Sequence, residues 1–118
     1  MNIQEITTFR PEYKDVINRF LVQLAGEEYL ITDQQIESII SDPNSHLFFA
    51  ANDDGKYMGM ISIGLYITPT GRKAWIEDVV VDDSCRGEGV GKSLTYLPFN
   101  MQKIKRQMLL CSLQNLPE

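Results

Sequence analysis

The stretch from Trp75 to Leu94 constrains this chain more than any other. Ile76 and Val79-Val80-Val81 form a β-branched run, Asp82-Asp83-Ser84 follows it, and then comes Arg86-Gly87-Glu88-Gly89-Val90-Gly91-Lys92. β-Branched side chains suit a pleated, largely buried strand, and the Asp and Ser oxygens fold the backbone over, so the strand is expected to stop near Asp82. Glycine at every second position from Gly87 to Gly91 removes three Cβ atoms, which lets backbone N–H groups close around a bulky anion. The next residues suit a first helical turn, whose unpaired N–H groups and positive dipole end point at the same spot. The pattern is therefore strand, phosphate-binding loop, helix.

Spacing decides among three phosphate loops. The mononucleotide pattern G-x-x-x-x-G-K-[ST] is met at Gly91-Lys92-Ser93, but its first glycine falls on Arg86. The dinucleotide pattern G-x-G-x-x-G begins at Gly87 and Gly89 and fails at Lys92. R-x-x-G-x-G fits, from Arg86 through Gly89 to Gly91, behind V-V-V-D and ahead of a leucine. This resembles the acetyl-coenzyme A signature of the GNAT family, the GCN5-related N-acetyltransferases. Ser41 to Ala50, the turn at Asn52 to Gly55 and Tyr57-Met58-Gly59-Met60 are also similar to the passage from second helix to third strand in bacterial members. The resemblance covers roughly Met1 to Tyr96.

The resemblance implies an α/β fold: a mixed sheet begun by an antiparallel meander, with helices on both faces. It implies acetyl-coenzyme A as acyl donor and a small-molecule or peptide amine as acceptor. The pyrophosphate would lie on the N–H groups of Arg86, Gly87, Gly89, Val90, Gly91 and Lys92, with the Arg86 and Lys92 side chains adding charge. The pantetheine arm would bond the backbone of Val79, Val80 and Val81, where an N–H could stabilise the oxyanion of the tetrahedral intermediate. Glu77 and Asp78 stand where family members often place a base. Strand alternation sends them to opposite faces, and Glu77 is the one expected to face the acceptor. A purely structural reading, in which both pair with cations across the sheet, stays open.

At 118 residues the chain is long enough for one domain. Its net charge of -5 argues against a nucleic-acid binder and suits a cationic substrate, though solubility alone accounts for it equally well. No apolar run reaches the roughly 18 residues of a membrane span and Met1 to Arg10 lacks a signal-peptide core, so a cytoplasmic, membrane-free protein is expected. Cys85 and Cys111 have no C-x-x-C spacing, read as free thiols, and no metal site is expected.

Along the chain, Ile3 to Phe9 alternates as a first strand. Apolar residues from Tyr13 to Leu24 recur at helical spacing up to Gly26, with Pro11 suiting the helix start. Thr32 is a good N-cap for a second helix carrying Ile36, Ile39 and Ile40, with Pro43 past its end. The family resemblance makes these helices the lip of the acceptor site, although Tyr13, Glu27, Glu28 and Tyr29 read as packing and solvated surface rather than substrate contacts. Asn52-Asp53-Asp54-Gly55 predicts a hairpin turn between strands 47–51 and 56–67, and Thr68 to Gly71 a second one before the strand Lys73 to Val81. Gly59 and Gly64 suggest a bulge or a close backbone approach. His46, a lone histidine beside a turn, reads as structural.

After Tyr96 the text changes. Residues 1–84 carry six Lys or Arg against fourteen Asp or Glu, residues 85–118 five against two, and Pro98 falls where the third helix should continue. Read one base earlier with suitable synonymous codons, the tail spells an amphipathic helix, a strand and the T-S-x-P-S-R turn of bacterial GNAT proteins. One expectation is thus a frameshift near codon 97 that leaves a truncated domain with doubtful transfer activity. The other is a natural short form in which Met108 to Leu113 serves as fifth strand. A non-catalytic domain that binds coenzyme A, or forms a homodimer through an uncovered sheet edge, is the alternative function.

Overall fold

In the computed structural model the described residues are 1–100, and of 97–100 the backbone alone. Four strands, β1 (Asn2–Glu5), β2 (Ser45–Ala51), β3 (Tyr57–Thr68) and β4 (Gly71–Val81), form one sheet in the order β1-β2-β3-β4. All three pairings are antiparallel among the described residues. The fifth strand expected over Met108 to Leu113, like the rest of the atypical tail, lies outside them. β1 is shorter than its alternation suggests. The ladder ends where the Ile6 N–H donates to the Leu47 carbonyl at 2.8 Å, and Ile6 turns its side chain under the first helix.

Helices cover both faces. α1 (Tyr13–Ala25) and α2 (Asp33–Ser41) lie on one, α3 (Val90–Asn100) on the other. The periodic apolar stripe of α1 puts Tyr13, Ile17 and Phe20 against Phe49 and Met60 of the sheet. Tyr13 and Phe49 meet edge to face at 5.4 Å, a favoured geometry for aromatic pairs. On the far face Val90 and Leu94 of α3 pack on Ile61, Ile63 and Ile76. The helix continues through Pro98 to Asn100, further than the proline suggests.

Local chemistry sets the element ends. Gly26 closes α1 at φ 81°, a left-handed conformation that glycine adopts without a Cβ clash. Thr32 and Gln35 form a reciprocal capping box at the start of α2. The Asn52 side-chain oxygen accepts from the N–H groups of Asp54 and Lys56, which folds the β2–β3 turn as expected. Gly59 marks a close approach, since a Cβ there would meet the Val80 carbonyl oxygen at 2.8 Å and Leu94 at 3.0 Å. Gly64 does not, because a Cβ there meets nothing within 4 Å. His46 lies away from both cavities described below, and its Nδ1 is 2.8 Å from a Glu5 carboxylate oxygen on neighbouring β1.

Candidate active site

The end of β4 is where the two faces meet. Met60 of β3 pairs with Val80 and Ser62 with Glu77, so Ile61 alone stands opposite both Asp78 and Val79. This is a β-bulge, and Asp78 carries it with φ 51°, a left-handed conformation that Asp tolerates better than most side chains. The bulge corrects the alternation argument. Ile76 and Val79 both pack on the α3 side and Val80 on the α1 side, so Glu77 and Asp78 together fill the intervening place on the α1–α2 face. Glu77 is opposite Ser62 on that face, and its carboxylate accepts from the indole N–H of Trp75. Asp78 lines the cavity between the sheet and the two helices. Burial first, and the neighbouring Glu77 charge second, raise the Asp78 pKa above the ordinary carboxylate value.

Beyond Val81 the backbone turns as the aspartates predict. The Asp82 carboxylate accepts from the Ser84 N–H at 2.9 Å and from its hydroxyl at 2.7 Å, and a single 3₁₀ turn over Asp83–Cys85 follows. Gly87 and Gly89 then take φ values of 87° and 78°. Gly91 is different: inside α3, an added Cβ would come to 3.3 Å from the Val81 side chain, a tight contact. Two glycines shape the loop and the third lets the helix dock on the strand.

The outcome is a cavity of about 600 Å³ on the α3 side of β4. Val79, Val81, Arg86, Gly87 and Gly89 line it, together with Val90, Gly91 and Lys92 at the start of α3. Eight of the nine residues expected to hold the coenzyme therefore share one wall. Val80 is the exception, because its side chain is buried in the opposite core, although its backbone belongs to the same strand. Added Cβ atoms at Gly87 and Gly89 meet no neighbour within 4 Å, so the cradle is open where a bulky anion would sit. Arg86 pairs with Asp83 at 3.1 Å with both side chains about two-thirds exposed, a weak link that leaves the guanidinium free to turn to a phosphate. Among the described residues no group of His, Cys, Asp and Glu is placed to hold a metal ion, and no helix is long and apolar enough to cross a membrane.

The sequence profile of the Acetyltransferase (GNAT) family matches residues 10–108. The chain belongs to the GNAT family. GNAT proteins generally take acetyl-coenzyme A as donor and an amine as acceptor, so this chain is an N-acetyltransferase by resemblance. Solved GNAT folds agree. Glucosamine-6-phosphate N-acetyltransferase from Arabidopsis thaliana superposes with a TM-score of 0.67 at 22% identity, over 82% of this chain and 71% of that one. An aminoglycoside acetyltransferase from an uncultured soil metagenomic sample, in complex with sisomicin, gives 0.73 at 18% identity over 84% and 67%. An acetyltransferase from Trypanosoma brucei gives 0.61 at 23% over 80% and 70%. At these identities the likeness is one of fold. No curated protein sequence matches the chain.

Two site features carry little sequence signal. The bulge at Asp78 has no glycine or proline to mark it. The side-chain amide of Gln23 in α1 donates to the Val81 carbonyl and accepts from the Asp83 N–H, clamping the end of β4 from 58 and 60 residues away. Asn18 acts alike, bonding both the N–H and the carbonyl of Ile31 and fixing the chain segment that walls the cavity between the sheet and the two helices. Of the aromatic and acidic residues singled out near the first two helices, Tyr13 in α1 is buried in the core, while Glu27, Glu28 and Tyr29 form a 3₁₀ turn between α1 and α2, where Tyr29 lines that cavity and the two glutamates are exposed.

Proposed function

We propose that this chain transfers the acetyl group of acetyl-coenzyme A to an amine. The observation that carries the reading is the single cavity shared by the loop Arg86–Lys92 and the end of β4. The N–H groups of the loop, with Arg86 and Lys92, hold the pyrophosphate, and the backbone of Val79, Val80 and Val81 holds the pantetheine arm. Acetyl-coenzyme A supplies the activated thioester carbonyl. An amine must be neutral to attack it, and Glu77 and Asp78 are the carboxylates on the acceptor face that can take its proton. As the C–N bond forms and the C–S bond breaks, the second amine proton balances the departing thiolate.

Titration with coenzyme A tests the loop. Gly89→Trp fills the cradle and should abolish binding, whereas Gly89→Ala carries the same left-handed backbone cost with the cavity open and should weaken it less. Undiminished affinity in Gly89→Trp would refute the loop assignment. Consumption of acetyl-coenzyme A with an amine panel then separates transfer from the alternative, a domain that binds coenzyme A without turnover or pairs with a second copy through β4, whose described pairing is with β3 alone. Light scattering at high protein concentration reads the self-association.

A further inference from the structure

The cavity on the α1–α2 face has a volume of about 480 Å³, within the range of small-molecule sites. Its walls are apolar: Leu21 and Leu24 of α1, Tyr29 and Leu30 of the connection, Ile39 of α2, Met60 of the floor. Leu24, Tyr29 and Leu30 keep 43%, 62% and 50% of their surface exposed, so three of the large exposed hydrophobic side chains of the described residues cluster at this one mouth. The polar lining is Ser62, Gln35 and Asp78. Gln35 is already engaged, since its side-chain oxygen accepts from the Thr32 N–H at 2.9 Å. Among the described residues no Lys, Arg or His lines the cavity, so none of them neutralises a phosphate or a carboxylate there. The bulge sets a single carboxylate into this surface, on the strand whose other side forms the coenzyme cavity.

We propose that this cavity selects a primary amine carried on a small apolar body, an arylalkyl- or alkylamine, whose ammonium pairs with the Asp78 carboxylate and whose apolar body lies between Leu21, Leu24, Tyr29 and Ile39. The assignment rests on the acetyltransferase reading above for the direction of transfer, and on the cavity for the class of acceptor. Burying an apolar body here is favourable by about 25 cal/mol per Å² removed from water. A sugar or a polyamine brings more hydroxyls or ammonium groups than the few polar side chains of these walls, Tyr29, Gln35 and Ser62 beside Asp78, can pair, and burying an unpaired polar group costs about 1–3 kcal/mol by mutational measures. A cation beside Asp78 also opposes, by its attraction for the carboxylate, the burial and the Glu77 charge that raise its pKa. The remaining titratable side chain in the lining is Tyr29. α1, α2, β2 and β3 contribute no charged group to it.

Calorimetric titration of the full chain, with coenzyme A present, uses 2-phenylethylamine, hexylamine, spermidine and glucosamine 6-phosphate as probes, and acetyl-coenzyme A consumption is read separately. The first two should bind roughly tenfold or more tighter than the last two. Asp78→Asn keeps a residue that tolerates the left-handed backbone. It should lose about tenfold in phenylethylamine affinity and the fall of that affinity at acid pH, while coenzyme A binding reports an intact fold. Spermidine or glucosamine 6-phosphate bound as well as phenylethylamine, or an Asp78→Asn variant with unchanged amine affinity, overturns the proposal. Tight, Asp78-dependent amine binding with acetyl-coenzyme A left intact by every probe supports this cavity assignment and overturns the transferase reading instead.

Discussion

Asp78 and Asp82 lie four residues apart and carry opposite pH signatures. Asp82 is held below the ordinary carboxylate pKa, chiefly by the Ser84 hydroxyl, then by the Ser84 N–H, with Arg19 and Lys56 adding charge. Its folded pKa is depressed, so the stability it lends is present above the unfolded value and is lost as pH falls through the folded one. Asp82→Ala should therefore cost about 1 kcal/mol at pH 7, as loss of a cap does, and less at pH 2. For Asp78 the folded pKa is raised, so its contribution is present below the unfolded pKa and is lost as pH rises through the folded one. Asp78→Asn should raise stability at pH 7 and leave it unchanged at pH 2, the reverse of Asp82→Ala. Urea denaturation of both variants at the two pH values checks the pair. Gly59 offers a test without charge: Gly59→Ala drives a methyl into the Val80 carbonyl and Leu94, and overpacking of this kind costs about 1–3 kcal/mol.

Most elements were legible because their signals are local. The three-and-four spacing from Tyr13 to Leu24, the cap at Thr32, the turn at Asn52 to Gly55 and the loop after Val81 each depend on residues within a few positions of one another. What the sequence hides is set by distant partners. Whether a glycine is crowded depends on what packs over it, so Gly59, under α3, and Gly64, under nothing, read alike along the chain. The bulge exists because β3 and β4 are paired out of step around Ile61, and that offset put Glu77 and Asp78 on one face when alternation separates them. The Gln23 clamp depends on α1 crossing the end of β4. Gln23→Leu should leave the Val81 carbonyl and the Asp83 N–H without their side-chain partners, at a net cost of about 1 kcal/mol. Because those groups shape the entry to the loop, coenzyme A affinity should fall several-fold, and amide hydrogen exchange at Asp83 should speed up. Slower exchange, or unchanged affinity, would show that the clamp is incidental to binding.

Across the whole molecule, β4 belongs to both cores: Val80 sits in the cluster under α1 and α2, and Val79 and Val81 pack against the cluster under α3. β2 and β3 also face both ways, with Phe48, Ala50, Ile61 and Ile63 in one cluster and Leu47, Phe49 and Met60 in the other, so a ligand lying along Val79 to Val81 and across the start of α3 braces β4 and its loop against a sheet common to both. Such a ligand binds the native state and not the unfolded chain, because the loop conformation at Gly87 and Gly89 and the docking of Gly91 on Val81 belong to the folded chain. Coenzyme A at a hundred times its dissociation constant should then add about 2.7 kcal/mol to the free energy of unfolding. For a domain of this size that corresponds to a rise in the thermal midpoint on the order of ten degrees. The shift should follow the logarithm of free coenzyme A, persist in Asp78→Asn, shrink in Gln23→Leu and vanish in Gly89→Trp. Differential scanning calorimetry over a coenzyme A series reads all four chains. A midpoint that stays fixed at saturating coenzyme A, or that rises equally in Gly89→Trp, would place the coenzyme away from β4 and its loop.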